Sequence, residues 1–209
     1  MTRPALLIAS FNPGKTRELR ALLEASGRTA LTLTDLGIRA PYEETGATYE
    51  ENGVGKARHY ARLAGKVTIA DDSGLEVDAL GGAPGPLSAR YGGPGLDDDA
   101  RNRALLAALD GVPERERGAR YVAVAVVARP DGEARSFRGE CAGRIVTVPR
   151  GALGFGYDPL FFYPPYGATL AEVSDERKHA VSHRGAAFRL VVEFLDSPEG
   201  ETFLATAGW

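Results

Sequence analysis

The first part of the chain alternates between short apolar runs and segments in which hydrophobic residues recur at helical spacing. Residues 4–10 form an apolar run that predicts a buried strand. Asn12 and Pro13 follow it as a helix N-cap and a first-turn proline. The predicted helix has an apolar face made of Leu19, Leu22 and Leu23, and the alternating residues 31–34 indicate a second strand.

A second helix and a third strand follow these elements. Thr48 and Glu51 have the spacing of a capping box, which predicts the start of a helix. Residues 66–70 predict a short strand that ends at Asp71-Asp72-Ser73-Gly74. Residues 81–95 are rich in glycine and proline and predict a long loop, which is a candidate lid or partner contact.

The remaining pattern predicts a helix, a group of strands and a final helix. Residues 97–109 begin with acidic side chains and continue with leucine and alanine, as is typical of a helix N-terminus. Residues 122–128, 136–139 and 143–148 predict strands. Ser182 is the predicted cap of the last helix, whose inner face carries Ala187, Leu190, Val191 and Phe194.

This order of elements predicts an α/β fold: a mixed central sheet flanked by helices, with two lobes around an active-site cleft. No internal repeat or low-complexity linker divides the chain, so residues 1–209 are predicted to form a single two-lobed domain. No apolar run reaches the length of a membrane span, so none is expected.

Composition and charge narrow the function. The chain has 44 % hydrophobic and 25 % charged residues, as ordinary globular domains do. Its net charge of -3, without a basic stripe, disfavours a stable nucleic-acid partner. Cys141 is the only cysteine, which excludes an internal disulfide and favours a reducing compartment, so we expect a cytoplasmic protein.

The segment Ser10-Phe11-Asn12-Pro13-Gly14-Lys15 joins a predicted strand to a helix N-terminus. Unpaired backbone N–H groups and the helix dipole favour an anion there, and Lys15 adds a positive charge. The spacing is not that of a Walker loop, because no glycine stands five residues before Gly14. A capped helix with a solvated lysine is the alternative interpretation.

Two acidic pairs are candidate ligands for a hard cation. Glu43-Glu44 lies in a predicted loop and Asp71-Asp72 at a predicted strand end, and Mg²⁺ prefers a few carboxylates together with water and phosphate oxygens. A solvated pair is the alternative for each. The strand-end position before Ser73 favours a ligand site, although strand alternation directs only one aspartate to a metal. Lys56 points either to solvent or back to this acidic cluster.

Two later segments have residue types that suit a purine base. Phe155-Gly156-Tyr157-Asp158 combines aromatic faces with a carboxylate that accepts hydrogen bonds from a base edge. Ser182-His183-Arg184 places positive side chains in the first turn of a helix, where the dipole disfavours them unless an anion is near, and Lys178 precedes them. An aromatic turn in the core, and contacts to a carboxylate elsewhere, are the structural alternatives.

These segments together resemble the inosine triphosphate pyrophosphatase family, also called Ham1-like. The resemblance covers nearly the whole chain. Its motifs, in order, are Ser10 to Lys15, Glu43-Glu44-Thr45-Gly46, Glu50-Glu51-Asn52 with Lys56-Ala57, Ala70 to Asp78, Gly81 to Gly85 with Ser88-Ala89-Arg90-Tyr91, Gly154 to Pro159, and Ser182 to Gly185. Phe11 and Gly53 depart from the family pattern, where a small glycine and an alanine are usual, and Phe11 leaves the detailed shape of the phosphate loop open.

The resemblance implies a homodimeric, Mg²⁺-dependent enzyme that hydrolyses ITP, dITP or XTP to the monophosphate and pyrophosphate, keeping damaged purine nucleotides out of DNA and RNA. It implies that Asp72 is the general base or a metal ligand, with Asp71 as the other candidate base. Glu44 would be the second metal ligand and Glu43 the weaker candidate. The residues implied to hold the triphosphate are Ser10, Phe11, Asn12, Pro13, Gly14, Lys15, Lys56 and Ser73. Those implied to read the base are Phe155, Gly156, Tyr157, Asp158, Lys178, His183 and Arg184.

Other functions remain open from the residues alone. A Maf-like pyrophosphatase would act on pyrimidine or modified nucleotides, and a nucleotide sensor would bind without turnover. A Ser-His-Asp hydrolase is disfavoured because no G-x-S-x-G motif is present.

Overall fold

The computed structural model describes residues 5–206, in which strands and helices alternate before a hairpin-rich second half. The strands are β1 (Leu6–Ile8), β2 (Ala30–Thr32), β3 (Thr68–Val77), β4 (Gly118–Ala128), β5 (Ala134–Ile145), β6 (Phe161–Tyr163) and β7 (Ala168–Thr169). The α-helices are α1 (Pro13–Ala25), α2 (Tyr49–Ala64), α3 (Asp98–Ala108), α4 (Asp175–Val181), α5 (His183–Leu195) and α6 (Pro198–Ala205).

The strands form one mixed sheet with the order β2-β1-β3-β4-β5-β6-β7. β1 pairs in parallel with β2 and with β3, where Ile8 lies opposite Ile69. β6 pairs antiparallel with both β5 and β7. The predicted α/β class with a mixed sheet and flanking helices is therefore confirmed, whereas the cleft stays a prediction.

The described residues divide into two compact units, each with a hydrophobic core of its own. The first unit consists of residues 5–72, 123–139 and 184–206. Its core includes Leu6, Ile8, Leu19, Leu23, Ile69, Val127, Phe188 and Val191. The second unit consists of residues 73–122 and 140–183. Its core includes Leu75, Val77, Leu105, Tyr121, Ile145, Tyr157, Leu160 and Phe161.

The predicted helix starts agree with the structure. Asn12 caps α1 by accepting a hydrogen bond from the backbone of Lys15, with 3.0 Å between N and Oδ1. Thr48 and Glu51 form the capping box of α2, so orphan N–H groups at both ends of the box are satisfied. Among residues 5–206, no helix has the length and apolar character needed to cross a membrane.

Strand β3 is longer than predicted. It continues through Asp71 and Asp72 to Val77, so the acidic pair lies inside a strand and not at its end. Both aspartates are buried, and side chains from neighbouring helices bind one carboxylate oxygen of each, which allows a strand to pass through charged residues.

Strand β5 replaces two predicted strands. Residues 136–139 and 143–148 were expected to be separate, but one strand runs from Ala134 to Ile145. Gly143 lies within this strand. The position has no room for a side chain, because a Cβ there would collide with the carbonyl oxygen of Phe162 on β6. The glycine thus marks a close approach of two strands and not a break between them.

The C-terminal helices also differ from the prediction. Helix α5 is followed by α6, so it is not the last helix, and α4 before it was not predicted. Ala187 and Val191 lie in the core as expected, but the predicted inner residue Leu190 is 41 % exposed. The predicted loop 81–95 contains a 3₁₀ helix, Gly85–Arg90, whose Ser88 is buried. Pro4, at the start of the first predicted strand, lies outside the described residues.

Candidate active site

The turn between β1 and α1 is the first candidate segment, and it lies in the first unit. The hydroxyl of Ser10 accepts a hydrogen bond from the backbone of Asn12 at 3.2 Å, and its carbonyl accepts one from Thr16 Oγ1 at 3.2 Å. The side chain of Phe11 is 43 % exposed and meets the ring of Tyr60 edge-on at 6.4 Å. This turn is held in shape by its own polar groups, at the positive end of the α1 dipole.

Lys15 is not a solvated lysine. Its Nζ lies 3.2 Å from Oδ2 of Asp71, and its side chain is only 16 % exposed. Burial lowers the pKa of Lys15, and the charges of Arg184 and Lys56 act in the same direction against the attraction of Asp71. The lysine is therefore anchored on β3, close to several other charges.

Asp71 is the centre of a buried ion-pair network. Its Oδ2 accepts from Lys15 and also lies 3.1 Å from Nε of Arg184, whose Nη1 lies 3.0 Å from Oε2 of Glu18. Burial alone would raise the pKa of Asp71, but the charges of Lys15, Arg184 and Lys56 outweigh it and hold the pKa well below its usual range. Asp71 therefore stays ionised and organises cations around it.

Asp72 has a different environment from its neighbour. Its Oδ2 accepts a hydrogen bond from Nδ2 of Asn52 at 3.0 Å. Burial raises the pKa of Asp72, the charge of Glu44 adds to this effect, and Lys15 and Lys56 oppose it. A carboxylate with a raised pKa is better suited to accept a proton than one held in tight ion pairs.

Lys56 points toward the acidic residues and not to solvent. Its Nζ lies 2.6 Å from Oε1 of Glu44. Burial lowers the pKa of Lys56, but the charges of Asp71 and Glu44 overcome this and raise it. Glu43 is exposed whereas Glu44 is half-buried against the lysine, which makes Glu44 the member of this pair that joins the charged cluster. We use the name charged cluster for Lys15, Glu18, Glu44, Lys56, Asp71, Asp72 and Arg184.

The segment 154–158 forms a second group of candidate residues, in the second unit. Asp158 is buried, and its Oδ2 accepts from Nζ of Lys178 at 2.6 Å and from the backbone N–H of Phe155 at 2.9 Å. The same Nζ lies 4.7 Å from the centre of the Phe155 ring. Gly154 has a φ of +73°, and a Cβ there would collide with the Asp158 carboxylate. The segment is thus a tight turn closed on its own aspartate.

His183 lies against an aromatic ring that the sequence patterns did not identify. The rings of Tyr121 and His183 are stacked, with centroids 4.5 Å apart and planes within 10°. The Tyr121 hydroxyl lies 3.5 Å from Oδ1 of Asp158. We name this group, made of Tyr121, Phe155, Asp158, Lys178 and His183, the Asp158 group.

The structure brings most sequence-predicted residues together within these two groups. Arg184, expected to read a base, has its guanidinium between Glu18 and Asp71 in the charged cluster. Ser73 follows Asp72 in β3 and is half-buried in the second unit.

Two residues that bind members of the charged cluster through their side chains, Asn52 and Glu18, were not identified as site residues from sequence. Asn52 lies four residues before Lys56 on α2, and Glu18 lies three residues after Lys15 on α1. Residues at these spacings share a helix face, so the spacing itself was an available signal. Tyr121 had none, because it begins a continuous apolar run that reads as core.

The charged cluster has donors that fit Mg²⁺. Glu44 and Asp72 supply carboxylate oxygens, and Oδ1 of Asp71 is buried without a hydrogen-bond partner among residues 5–206. The same residues contain no group of three or more histidine, cysteine or acidic side chains placed to hold a metal by themselves. Mg²⁺ commonly uses one or two carboxylates and completes its shell with water and substrate phosphates, so the donor set fits that ion.

Known proteins resemble this chain in sequence and in fold. The family model described as Ham1 family matches residues 6–194. A dITP/XTP pyrophosphatase of Yersinia pseudotuberculosis is 50 % identical over 192 residues, covering 91 % of this chain and 97 % of that protein. A dITP/XTP pyrophosphatase of Thermus thermophilus is 50 % identical over 194 residues, or 92 % and 93 % of the two chains. The structure of the Staphylococcus aureus Ham1 protein superposes with a TM-score of 0.82 at 38 % identity, over 92 % of this chain and 98 % of that one.

Proposed function

Because the chain belongs to the Ham1 family, we propose that it is a pyrophosphatase that hydrolyses dITP, ITP and XTP to the monophosphate and pyrophosphate, so that damaged purine nucleotides stay out of DNA and RNA. The single observation that carries this proposal is the charged cluster, in which a buried aspartate with a raised pKa lies beside cations that suit a polyphosphate. Few other reactions need both features at once.

Asp72 is the proposed general base. Its carboxylate accepts the proton of a water molecule whose oxygen bonds to the α-phosphorus, while the bond from that phosphorus to the α–β bridging oxygen breaks and pyrophosphate leaves. Asn52 donates a hydrogen bond to one oxygen of this carboxylate and thereby also fixes the orientation of the other oxygen. Asp71 is less suited to this role, because its charge is committed to Lys15 and Arg184.

The triphosphate is proposed to lie at the turn of residues 10–15. The N-terminus of α1 and the positive charges of Lys15 and Lys56 favour the phosphate oxygens. Glu44 and Asp72 would hold Mg²⁺, which when bound offsets the negative charge that develops on the phosphates. When the triphosphate binds, Lys15 and Lys56 would each give up part of their interaction with Asp71 and Glu44 and interact with phosphate oxygens instead.

The base is proposed to be read by the Asp158 group together with Gly156 and Tyr157. Phe155 offers a ring face. Lys178 is a hydrogen-bond donor, and the oxygen of a 6-oxo purine accepts a hydrogen bond from it, whereas the 6-amino group of adenine does not. Leaving a buried donor unpaired is costly, so a site of this kind rejects the wrong base more strongly than an apolar pocket.

The test is pyrophosphate release with Mg²⁺ from ITP, XTP, dTTP, ATP and GTP, with wild type and Asp72→Asn measured side by side. Selective turnover of ITP and XTP that Asp72→Asn abolishes is the expected result. Preference for dTTP or UTP would favour the Maf-like alternative, and tight ITP binding without turnover would favour the sensor. Repeating the assay with EDTA, and then with added Mg²⁺, tests the metal.

A homodimer is also proposed, on family resemblance, with residues 81–95 as a candidate contact. Ser88 in this segment is buried and its Oγ accepts from the backbone of Leu75 at 2.8 Å, so the test should change exposed side chains and not the backbone. Leu87 is 57 % exposed, and Leu87→Glu is expected to shift a dimer toward monomer in sedimentation velocity. An unchanged distribution would remove Leu87 from the proposed contact.

A further inference from the structure

One helix binds both backbone polar groups of Gly156. Oδ2 of Asp98 accepts a hydrogen bond from the Gly156 N–H at 2.7 Å, and Nδ2 of Asn102 donates one to the Gly156 carbonyl oxygen at 3.0 Å. Asp98 and Asn102 are four residues apart on α3, so they lie on the same helix face. Each side chain has the polarity that its backbone partner needs.

Gly156 lies in the turn between Phe155 and Asp158, where its own lack of a side chain matters. Its φ is +64°, in the left-handed region, and a Cβ built on it would have no atom within 4 Å. The turn therefore relies on glycine for its backbone conformation and not for lack of space. A glycine at such a position has large conformational freedom to lose, so contacts from outside the turn are needed to fix it.

We propose that Asp98 and Asn102 are positioning residues that set the base selectivity of the enzyme by fixing the peptide groups of Gly156. This inference rests on the proposed function. Rotation of Gly156 would move the ring of Phe155 and the carboxylate of Asp158 relative to each other, because the glycine lies between them in the turn. The Asp158–Lys178 pair moves with that carboxylate.

The burial of Asn102 separates this arrangement from an ordinary helix contact. Asn102 is only 5 % exposed, although asparagine has no preference for a helix interior. Asp98 also pairs with Arg101 at 3.1 Å, a local contact available to any exposed helix. The hydrogen bonds to Gly156 join residues 54 and 58 positions apart in the chain, which local helix stability does not require.

The test measures kcat and KM for XTP and ATP in four variants. Asn102→Ala and Asp98→Ala each remove one hydrogen bond, and the ratio of kcat/KM for XTP over ATP is expected to fall about tenfold, mainly through KM for XTP. Asn102→Asp places an acceptor against a carbonyl oxygen and is expected to lower the ratio further. Asp98→Asn keeps an acceptor oxygen and is expected to restore most of the selectivity lost in Asp98→Ala.

Asp97→Ala is the matched control. Asp97 caps α3 by accepting from the Ala100 N–H at 2.8 Å, a hydrogen bond within the helix. This variant is expected to lower Tm while leaving the selectivity ratio unchanged. Circular dichroism establishes that each variant is folded before its kinetics are compared.

Two outcomes would overturn the inference: an unchanged ratio in Asn102→Ala and Asn102→Asp, or an equal loss in Asp97→Ala. A wild type that turns over no triphosphate would instead contradict the proposed function. In that case the same ratio is taken from the dissociation constants of XTP and ATP measured by calorimetry, and the expected changes are the same.

Discussion

The charged cluster and the Asp158 group both contain a buried aspartate paired with a buried lysine, but their charge balance differs. The charged cluster has four carboxylates and three cations. The Asp158 group has one carboxylate and one ammonium, 2.6 Å apart, packed against Phe155 and near the stacked rings of Tyr121 and His183. The first has a surplus of negative charge that a cation can neutralise, and the second is already neutral.

The difference fits the roles proposed for the two groups, phosphate binding for the charged cluster and base recognition for the Asp158 group. Ions such as Mg²⁺ and phosphate bind where charges can be exchanged among several partners. An uncharged heterocycle binds against aromatic faces and a few fixed hydrogen-bond groups. Substitutions in one group and not in the other can therefore test the two proposed roles separately.

The largest expected effect is on turnover by Asp72→Asn. Loss of a general base typically costs about 10² to 10⁴ in rate, and we expect kcat for ITP to fall by that factor. Only the ionised form of Asp72 accepts a proton, so wild-type activity should decline as the pH falls through the pKa of Asp72, which burial raises in the protein without a bound cation. A pH profile of kcat measures both effects.

The matched control for Asp72→Asn is a substitution in the other group. Tyr121→Phe keeps the ring stacked on His183 and removes a hydroxyl 3.5 Å from Asp158, so kcat and the acid limb should stay as in wild type. An acid limb that persisted in Asp72→Asn would remove Asp72 from the role of base.

Asp71→Asn is expected to change stability more than chemistry. The substitution leaves Lys15 and Arg184 buried without their shared carboxylate, and breaking a buried pair costs about 3–5 kcal/mol. Urea denaturation measures the loss. The lowered pKa of Asp71 gives the sign of the pH effect: its stabilising contribution is present above its ordinary pKa and is lost as the pH falls toward the lowered value. A free energy of unfolding equal to that of wild type at pH 7 would contradict the role of Asp71 as the centre of the buried ion-pair network.

The Asp158 group should tolerate the loss of both charges better than the loss of one. Lys178→Met removes the cation that lies 2.6 Å from the buried carboxylate of Asp158, at a cost of about 3–5 kcal/mol, whereas Lys178→Met with Asp158→Asn should recover much of it. The comparable double change in the charged cluster, Lys15→Met with Asp71→Asn, should not recover as much, because the buried Arg184 loses the carboxylate at its Nε. A double-mutant cycle in urea for each pair tests the contrast.

The smallest expected effect is on the reactivity of the Cys141 thiol, which depends on the surroundings of Asp158. Burial, with the charge of Asp158 adding to it, raises the pKa of Cys141 to about 12. The thiol should therefore react slowly with a disulfide reagent at pH 8 in the folded protein and rapidly in denaturant. Rapid labelling of the folded protein would show that this part of the second unit opens to water.

Much of the fold follows from local patterns because the helix starts are fixed by side chains close in sequence. Asn12, Thr48 and Asp97 each cap the helix that the pattern predicts. The errors arise where a distant residue decides the outcome: the burial of Asp71 and Asp72 by partners on other elements, and the approach of Phe162 to Gly143. Sequence patterns contain no information on those contacts.

The candidate residues were predictable mainly as types. Acidic pairs, a lysine at a helix start and an aromatic turn with aspartate are visible in the sequence, and the resemblance to a family supplied their roles. Their pairing was not visible, because which cation neutralises which carboxylate depends on packing. Arg184 illustrates this point, since a position beside His183 gave no sign that its partners would be Glu18 and Asp71.

The neighbouring positions of Asp71 and Asp72 on β3 have a consequence for how this strand can change length. Side chains of successive strand residues point to opposite faces, so one aspartate binds Lys15 and Arg184 while the next receives the amide of Asn52. An insertion or deletion of one residue between Ile69 and Asp71 would exchange the two faces. The strand can therefore accept substitutions at its apolar positions, but a change of one residue in its length would turn each carboxylate to the opposite face of the sheet, away from its present partners.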